Sequence, residues 1–409
     1  MDQKMKADIV IANANEIATM SGGEFKTFNG LWIAISEGVI AGIGEKEIIQ
    51  EKFDFGMEAI IDATDKAVIP GFVDCHTHVV FGGSRVEEYT AKLITKSPER
   101  LKEMGIETGI MVSVNKTREK SFNALYKESK ERLIWMLRFG TTTCESKSGY
   151  GLDLDTEIRQ LEVSKALNET LPLEIIPTFL GAHGWPDDMT KEQYMDQLIN
   201  EMLPLVKEKE LAVFCDIWCD DGHYTKEESK KILEAGIASG LQPKIHADAY
   251  SYIGATDLAI EMQMCSADHL NFTPISVAEE MGKADVVGVL LPATDFAVKH
   301  PRPVDARLLS DAGLKIAIGT NCCPGIWNVS MPFAMTLACL NHGLHADEAL
   351  LGATYYGAKA LGLEKTHGSI EIGKKADLLV LSTDTYRELV YRYGESLVDV
   401  LIKDGERII

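Results

Sequence analysis

The stretch Ala67-Val68-Ile69-Pro70-Gly71-Phe72-Val73-Asp74-Cys75-His76-Thr77-His78 runs from buried-strand residues into two histidines. Side chains on a strand alternate, so His76 and His78, two apart, face the same side. At the carboxyl end of a buried strand, such a pair can hold one divalent metal through its imidazole nitrogens. The plainer alternative is a pair of histidines that only closes the strand.

Working outward, the flanking chain alternates apolar runs with amphipathic stretches. Strands are expected over Val68–His78, Thr141–Ser148, Glu174–His183, Leu211–Cys219, Pro243–Asp248, Cys265–Leu270, Val286–Leu291 and Lys315–Asn321. Helical patterning fills Ser121–Arg138, Thr156–Leu167, Lys226–Ser239 and Ala346–Leu361. Eight strands with intervening helices predict an α/β fold, a closed parallel (β/α)8 barrel. An open doubly wound sheet is the runner-up, but no Gly-x-Gly-x-x-Gly follows the first strand.

The two ends of the chain read as β-rich: Asp8–Asn13, Leu31–Ser36, Val39–Gly44 and Ala59–Asp62, then Ala376–Leu381 and Val398–Lys403. Glu37-Gly38 and Asp404-Gly405 are turn signals. Residues 1–66 and 365–409 are therefore expected to pair into one small β-domain, with the barrel over 67–364.

A barrel places its chemistry at the carboxyl ends of its strands. Beyond His76 and His78, those ends carry Glu145, Lys147 and Tyr150, then His183, His246 with Asp248, Asp268 with His269, and Thr320 with Asn321. His76, His78 and His246 are candidate ligands of one divalent ion. Zinc lowers the pKa of bound water to ~7. His269 is the candidate general base, or else a packed histidine. Asp248 and Asp268 either orient neighbouring imidazoles or cap the following helices. In Phe81-Gly-Gly-Ser-Arg85, Arg85 offers a planar fork for a carboxylate, or pairs with Glu87 or Glu88. Tyr150 contacts substrate or packs at the rim.

The formal net charge of −21 over 409 residues argues against nucleic acid and anionic membrane as partners. No apolar run reaches the ~18 residues of a membrane span. The first residues lack the apolar core of a secretion signal. Eight cysteines scattered through strands suit reduced thiols of a cytoplasmic protein. Cys215 and Cys219, four apart, could pair on a metal but read better as core-strand residues.

With these motifs in view, the chain resembles the amidohydrolase superfamily and, within it, the imidazolonepropionase family. The likeness lies in Pro70–His78, Phe81–Arg85, Lys147-Ser-Gly-Tyr-Gly-Leu152, Thr178–His183, His246-Ala-Asp248, Ser266–Leu270 and Gly368–Asp377. It implies a barrel carrying one divalent metal, zinc first and iron second, plus a small β-sandwich from both termini. It implies that His76, His78, His246 and the position of Asn321 hold the metal. His269 is implied as catalytic, and Arg85, Tyr150 and His183 as substrate-binding. The implied reaction opens the ring of 4-imidazolone-5-propanoate to N-formimino-L-glutamate, in a cytoplasmic homodimer.

Three positions depart from the pattern. Thr320-Asn321-Cys322-Cys323-Pro324-Gly325 stands where the family has Thr-Asp-x-Asn-Pro-Gly, and Ala249 stands where relatives carry Glu or Gln. A neutral amide attracts a cation less than a carboxylate and accepts no proton at neutral pH. Cys322 or Cys323 could supply a thiolate instead. A hydrolase or deaminase of another cyclic amidine is the second reading, and a catalytically silent scaffold whose barrel serves binding or assembly the third.

Overall fold

A computed structural model describes residues 4–409. Eight parallel strands follow in chain order around a barrel. They are β1 Phe72–Asp74, β2 Thr141–Lys147, β3 Glu174–Ala182, β4 Phe214–Cys219, β5 His246–Ala247, β6 Ser266–His269, β7 Val287–Leu290 and β8 Ile316–Ile318. Each pairs in parallel with the next. The seam between β8 and β1 is bridged just above the strands. There Asn321 N–H donates to the His76 carbonyl at 3.0 Å, and His78 N–H to the Cys322 carbonyl at 2.9 Å.

Helices lie close to their expected spans because their first turns are capped. Ser121, Asp153 and Thr225 accept from backbone N–H groups at the starts of Phe122–Arg138, Leu154–Asn168 and Lys226–Ala238. The helix expected over Ala346–Leu361 is instead two, Ala346–Gly352 and Tyr355–Ala360. The Ala353 carbonyl accepts the Val73 N–H of β1 at 2.9 Å, so docking on the barrel takes a bond that helix continuation needs.

The strand expected over Val68–His78 also divides. Ala67–Pro70 pairs with Leu378–Leu381 and with Glu16–Ala18, while Phe72–Asp74 begins the barrel. The terminal sheet thus reaches past residue 66. Gly71 is the joint: a Cβ there would stand 2.3 Å from the Thr142 hydroxyl. The strand expected over Pro243–Asp248 is likewise two short pieces, Gln242–Pro243 and β5, both paired with β4.

Chain ends build a two-stranded sheet, in which Met5–Lys6 pairs in parallel with Phe53–Asp54, and two larger ones. One has six strands in the order Glu406–Arg407, Val398–Lys403, Leu378–Leu381, Ala67–Pro70, Glu16–Ala18 and Thr27–Phe28. The other has four, in the order Val39–Gly44, Trp32–Ser36, Ile9–Ala12 and Ile60–Asp62. Glu37-Gly38 turns one hairpin with φ of 51° and 80°, the left-handed pair that matches strand twist. Ile11, Ile17, Ile33, Ile35, Val68, Leu378, Val380 and Ile402 form one buried apolar cluster. All eight cysteines are free thiols, with Cys215 and Cys219 in β4. Among the described residues, no helix is long and apolar enough to cross a membrane.

Candidate active site

Strand alternation stacks the barrel interior in layers. Along β4, Phe214 joins an apolar floor with Val73, Ile176, Val287, Val289 and Ala317. Two residues on, Asp216 lies in a charged layer, and two further Trp218 lines the mouth. The charged layer contains Glu145, Lys147, Asp216, Lys244 and Asp268, all with side chains fully out of solvent. Lys147 Nζ lies 2.6 Å from Asp216, 3.0 Å from Glu145 and 3.4 Å from Asp268. Lys244 Nζ lies 3.1 Å from the other Glu145 oxygen. Burial alone would lower the Lys147 ammonium, but Asp216, Glu145 and Asp268 raise it above the usual lysine range, so it stays charged.

Histidines form the next layer. His76 Nδ1 donates to Asp268 Oδ2 at 2.6 Å, and His246 Nδ1 stands 3.1 Å from Asp216 Oδ2. A carboxylate accepts only, so the His76 proton sits on Nδ1 and its Nε2 lone pair is free. The Nε2 atoms of His76 and His246 are buried without a partner, as is Asn321 Oδ1; His246 Nδ1, though close to Asp216, makes no hydrogen bond either. Asn321 is oriented by its amide N–H, which donates to Thr294 Oγ1 at 2.8 Å. His183 Nδ1 donates to the Gly149 carbonyl at 3.0 Å, and the His183 ring stacks on His78 with centroids 5.0 Å apart.

Ring centroids of His76, His78 and His246 are 4.6–5.7 Å apart. Three sets of three bring donor atoms within 4.8 Å of one another: His76, His246 and His269; His78, His183 and His246; and His76, Glu145 and Asp268. His246 is common to the two all-histidine sets, and none of the three unites the expected trio of His76, His78 and His246. Burial first, then repulsion from Lys147 and from one another, pushes His76, His78 and His269 well below the usual histidine value, and burial with His246 takes His183 down to about 3. Neutral imidazoles with free Nε2 lone pairs are the donors a cation requires. The residues therefore fit a divalent ion.

Neither Cys322 nor Cys323 joins such a set, and burial pushes the Cys322 thiol up to about 12. A thiolate ligand is thus not what this arrangement offers. Cys323 lines the cavity together with Tyr150. Asp248 does not orient an imidazole. Its backbone turns left-handed at φ 54°, and its carboxylate takes the Thr256 and Thr273 hydroxyls at 2.7 and 2.8 Å. Behind His246 the carboxylate is Asp216, which the sequence reading missed.

A cavity of 590 Å³ opens above the histidines, lined by His78, Tyr150, His183, Trp218, His246, His269, Asn321 and Arg85. Arg85 is forked onto Glu88, with Nε and Nη2 at 2.7 and 2.6 Å, and Lys92 shares that carboxylate at 2.5 Å. The loops carrying Arg85 and Tyr150 are fastened from behind. Arg132 donates to the Val79 and Phe81 carbonyls. Glu157 accepts the N–H groups of Gly149, Gly151 and Leu152. Gln160 joins the two loops, donating to Val80 O at 2.6 Å and accepting from Tyr150 N–H at 3.3 Å. These three residues lie on helices read only as amphipathic; their signal was polarity on an inward face.

Residues 67–408 match the amidohydrolase family. The chain belongs to that family. It is 39% identical to an imidazolonepropionase of Clostridium tetani over 98% of both chains. It is 42% identical to one of Geobacillus kaustophilus, over 92% of this chain and 89% of that one. Its fold is similar to a zinc-bound adenosine deaminase of Xanthomonas campestris, with a TM-score of 0.75 and 17% identity, over 99% of this chain and 93% of that one. As in any amidohydrolase built on this barrel, the candidate chemistry lies at the carboxyl ends of the strands.

Proposed function

We propose that the chain hydrolyses 4-imidazolone-5-propanoate to N-formimino-L-glutamate. One observation carries this reading: free, buried Nε2 lone pairs converge beneath a cavity whose rim holds Arg85. Imidazolonepropionases of similar length support it. Water adds to the ring carbonyl carbon, the bond from that carbon to the adjacent ring nitrogen breaks, and that nitrogen gains the proton that water loses.

His76, His78 and His246, with Asn321 Oδ1, are the residues that would hold a divalent ion, zinc before iron. Such an ion makes hydroxide available near neutral pH. His269 receives the proton of the attacking water and returns it to the departing nitrogen. Tyr150 and His183 confine the ring, and Arg85, held rigid by Glu88, presents its remaining N–H groups to the propionate. The same reading extends to a cytoplasmic homodimer without a nucleic-acid partner.

Asn321, Cys323 and Ala249 favour a second reading, hydrolysis or deamination of another cyclic amidine. Glu88 is the one carboxylate lining the cavity among the described residues, and Arg85 and Lys92 already engage it. Assaying purified enzyme against imidazolones with and without the propionate arm separates the readings. The first expects turnover to fall sharply without the arm; equal turnover of both substrates overturns it.

A further inference from the structure

The Lys147 ammonium and the two candidate ligands His76 and His246 meet the same carboxylate oxygens. Asp216 Oδ2 is 2.6 Å from Lys147 Nζ and 3.1 Å from His246 Nδ1. Asp268 Oδ2 is 3.4 Å from Lys147 Nζ and 2.6 Å from His76 Nδ1. Glu145 Oε1 holds the ammonium from a third direction at 3.0 Å. One fully buried cation thus sits at the junction of both carboxylate–imidazole pairs. We propose that Lys147 is a positioning residue that aims His76 and His246 together at one divalent cation.

Asp216 and Asp268 lie in a place water does not reach. Buried carboxylates persist as anions only when paired and hydrogen-bonded. Asp216 and Asp268 approach from different strands, β4 and β6, on either side of His246 in β5. Without a shared counter-charge they repel, His76 loses the acceptor that fixes its ring plane, and His246 loses the carboxylate 3.1 Å behind its Nδ1. With Lys147 between them, Asp268 stays in place to hold His76 Nδ1 by a hydrogen bond at 2.6 Å, and Asp216 stays in place 3.1 Å behind His246 Nδ1. Such outer partners typically govern metal affinity by about 10- to 100-fold.

Lys244 supplies an internal control. It is equally buried and equally cationic, but it pairs with Glu145 Oε2 at 3.1 Å and stands 4.0 Å from Asp268. If Lys147 served only to neutralise the layer, the two lysines would be interchangeable in effect.

The inference rests on the proposed metal reading of the histidines, and the experiment separates the two. Cobalt(II) binding is titrated into metal-free wild type, Lys147→Met and Lys244→Met, following the visible cobalt spectrum, with near-ultraviolet circular dichroism as the check of fold. Lys147→Met is expected to fold, to bind cobalt about 10- to 100-fold more weakly, and to show an altered spectrum. Lys244→Met is expected to hold cobalt with the wild-type spectrum. Equal affinity and identical spectra in wild type and folded Lys147→Met overturn the inference, as do equal losses in both variants. If Lys147→Met does not fold, Asp216→Asn reads the same link, and wild-type cobalt affinity in that variant overturns it. Wild type that binds no cobalt overturns the metal reading itself.

Discussion

Between the terminal sheets the buried side chains are Ile11, Ile17, Ile33, Ile35, Val68, Leu378, Val380 and Ile402; in the upper barrel they are Glu145, Lys147, Asp216, Lys244 and Asp268. Both regions are closed to solvent, yet they are assembled by opposite rules. The apolar set gains free energy from every methylene removed from water. The charged set loses hydration and recovers it only through tight pairing, so it adds little net stability. What it yields is direction, since Asp268 fixes His76 by a hydrogen bond and Asp216 stands 3.1 Å behind His246. Stability and function are concentrated in different parts of this chain.

The sharpest way to break that contrast is His246→Ala. Because His246 belongs to both all-histidine sets, activity is expected to fall by more than the about 100-fold that outer partners cost, while the unfolding midpoint changes little. Steady-state kinetics alongside a denaturant titration check both halves.

Ile33→Ala tests the other side. Ile33 is fully buried, and the substitution is expected to destabilise by about 2–5 kcal/mol while leaving the specific activity of folded protein unchanged. Denaturant midpoints measured with activity per folded molecule provide the comparison.

Arg85→Gln sharpens the boundary of the functional region. Losing a charge-assisted contact is expected to cost about 1.5–3 kcal/mol, read as a rise in KM for a carboxylate-bearing substrate with kcat less affected. A substrate without the carboxylate should show no such rise.

The smallest effect concerns the tie between barrel and terminal segment. Glu174, at the start of β3, is contacted by His367 at 2.9 Å, Lys375 at 2.5 Å and Lys403 at 3.5 Å. Burial alone would raise its carboxyl, but the bonds from His367 and Lys375 and the nearby charges hold it well below the usual 4.5. A carboxyl lowered in the folded state contributes stability above its unfolded value, and that contribution is lost as pH falls toward the folded value. Stability should therefore decline between about pH 5 and pH 3, and more gently in Glu174→Gln. Denaturant titrations at several pH values measure the difference in slope.

Much of the architecture was legible in the chain because its signals are local. Alternation and turn pairs such as Glu37-Gly38 announced the terminal strands, and strand–helix alternation announced the barrel. His76, His78, His183, His246 and His269 were legible as residues near one edge, since a barrel gathers its strand ends. Misreadings came where a distant partner intervened: Gly71 divides a continuous apolar run because Thr142 crowds it, and Ala353 ends a helical pattern because Val73 claims its carbonyl.

Composition and periodicity by themselves determined the class of fold, the edge of the barrel that carries the chemistry, and the histidines gathered there. Only the tertiary structure decided which carboxylate stands behind which imidazole, that Asp216 rather than Asp248 backs His246, and that Arg85 is already held by Glu88. The reason is range. A strand pattern is set by neighbours two residues apart, whereas an ion pair such as Lys147 with Asp216 joins positions far apart in sequence that only closure of the barrel brings together.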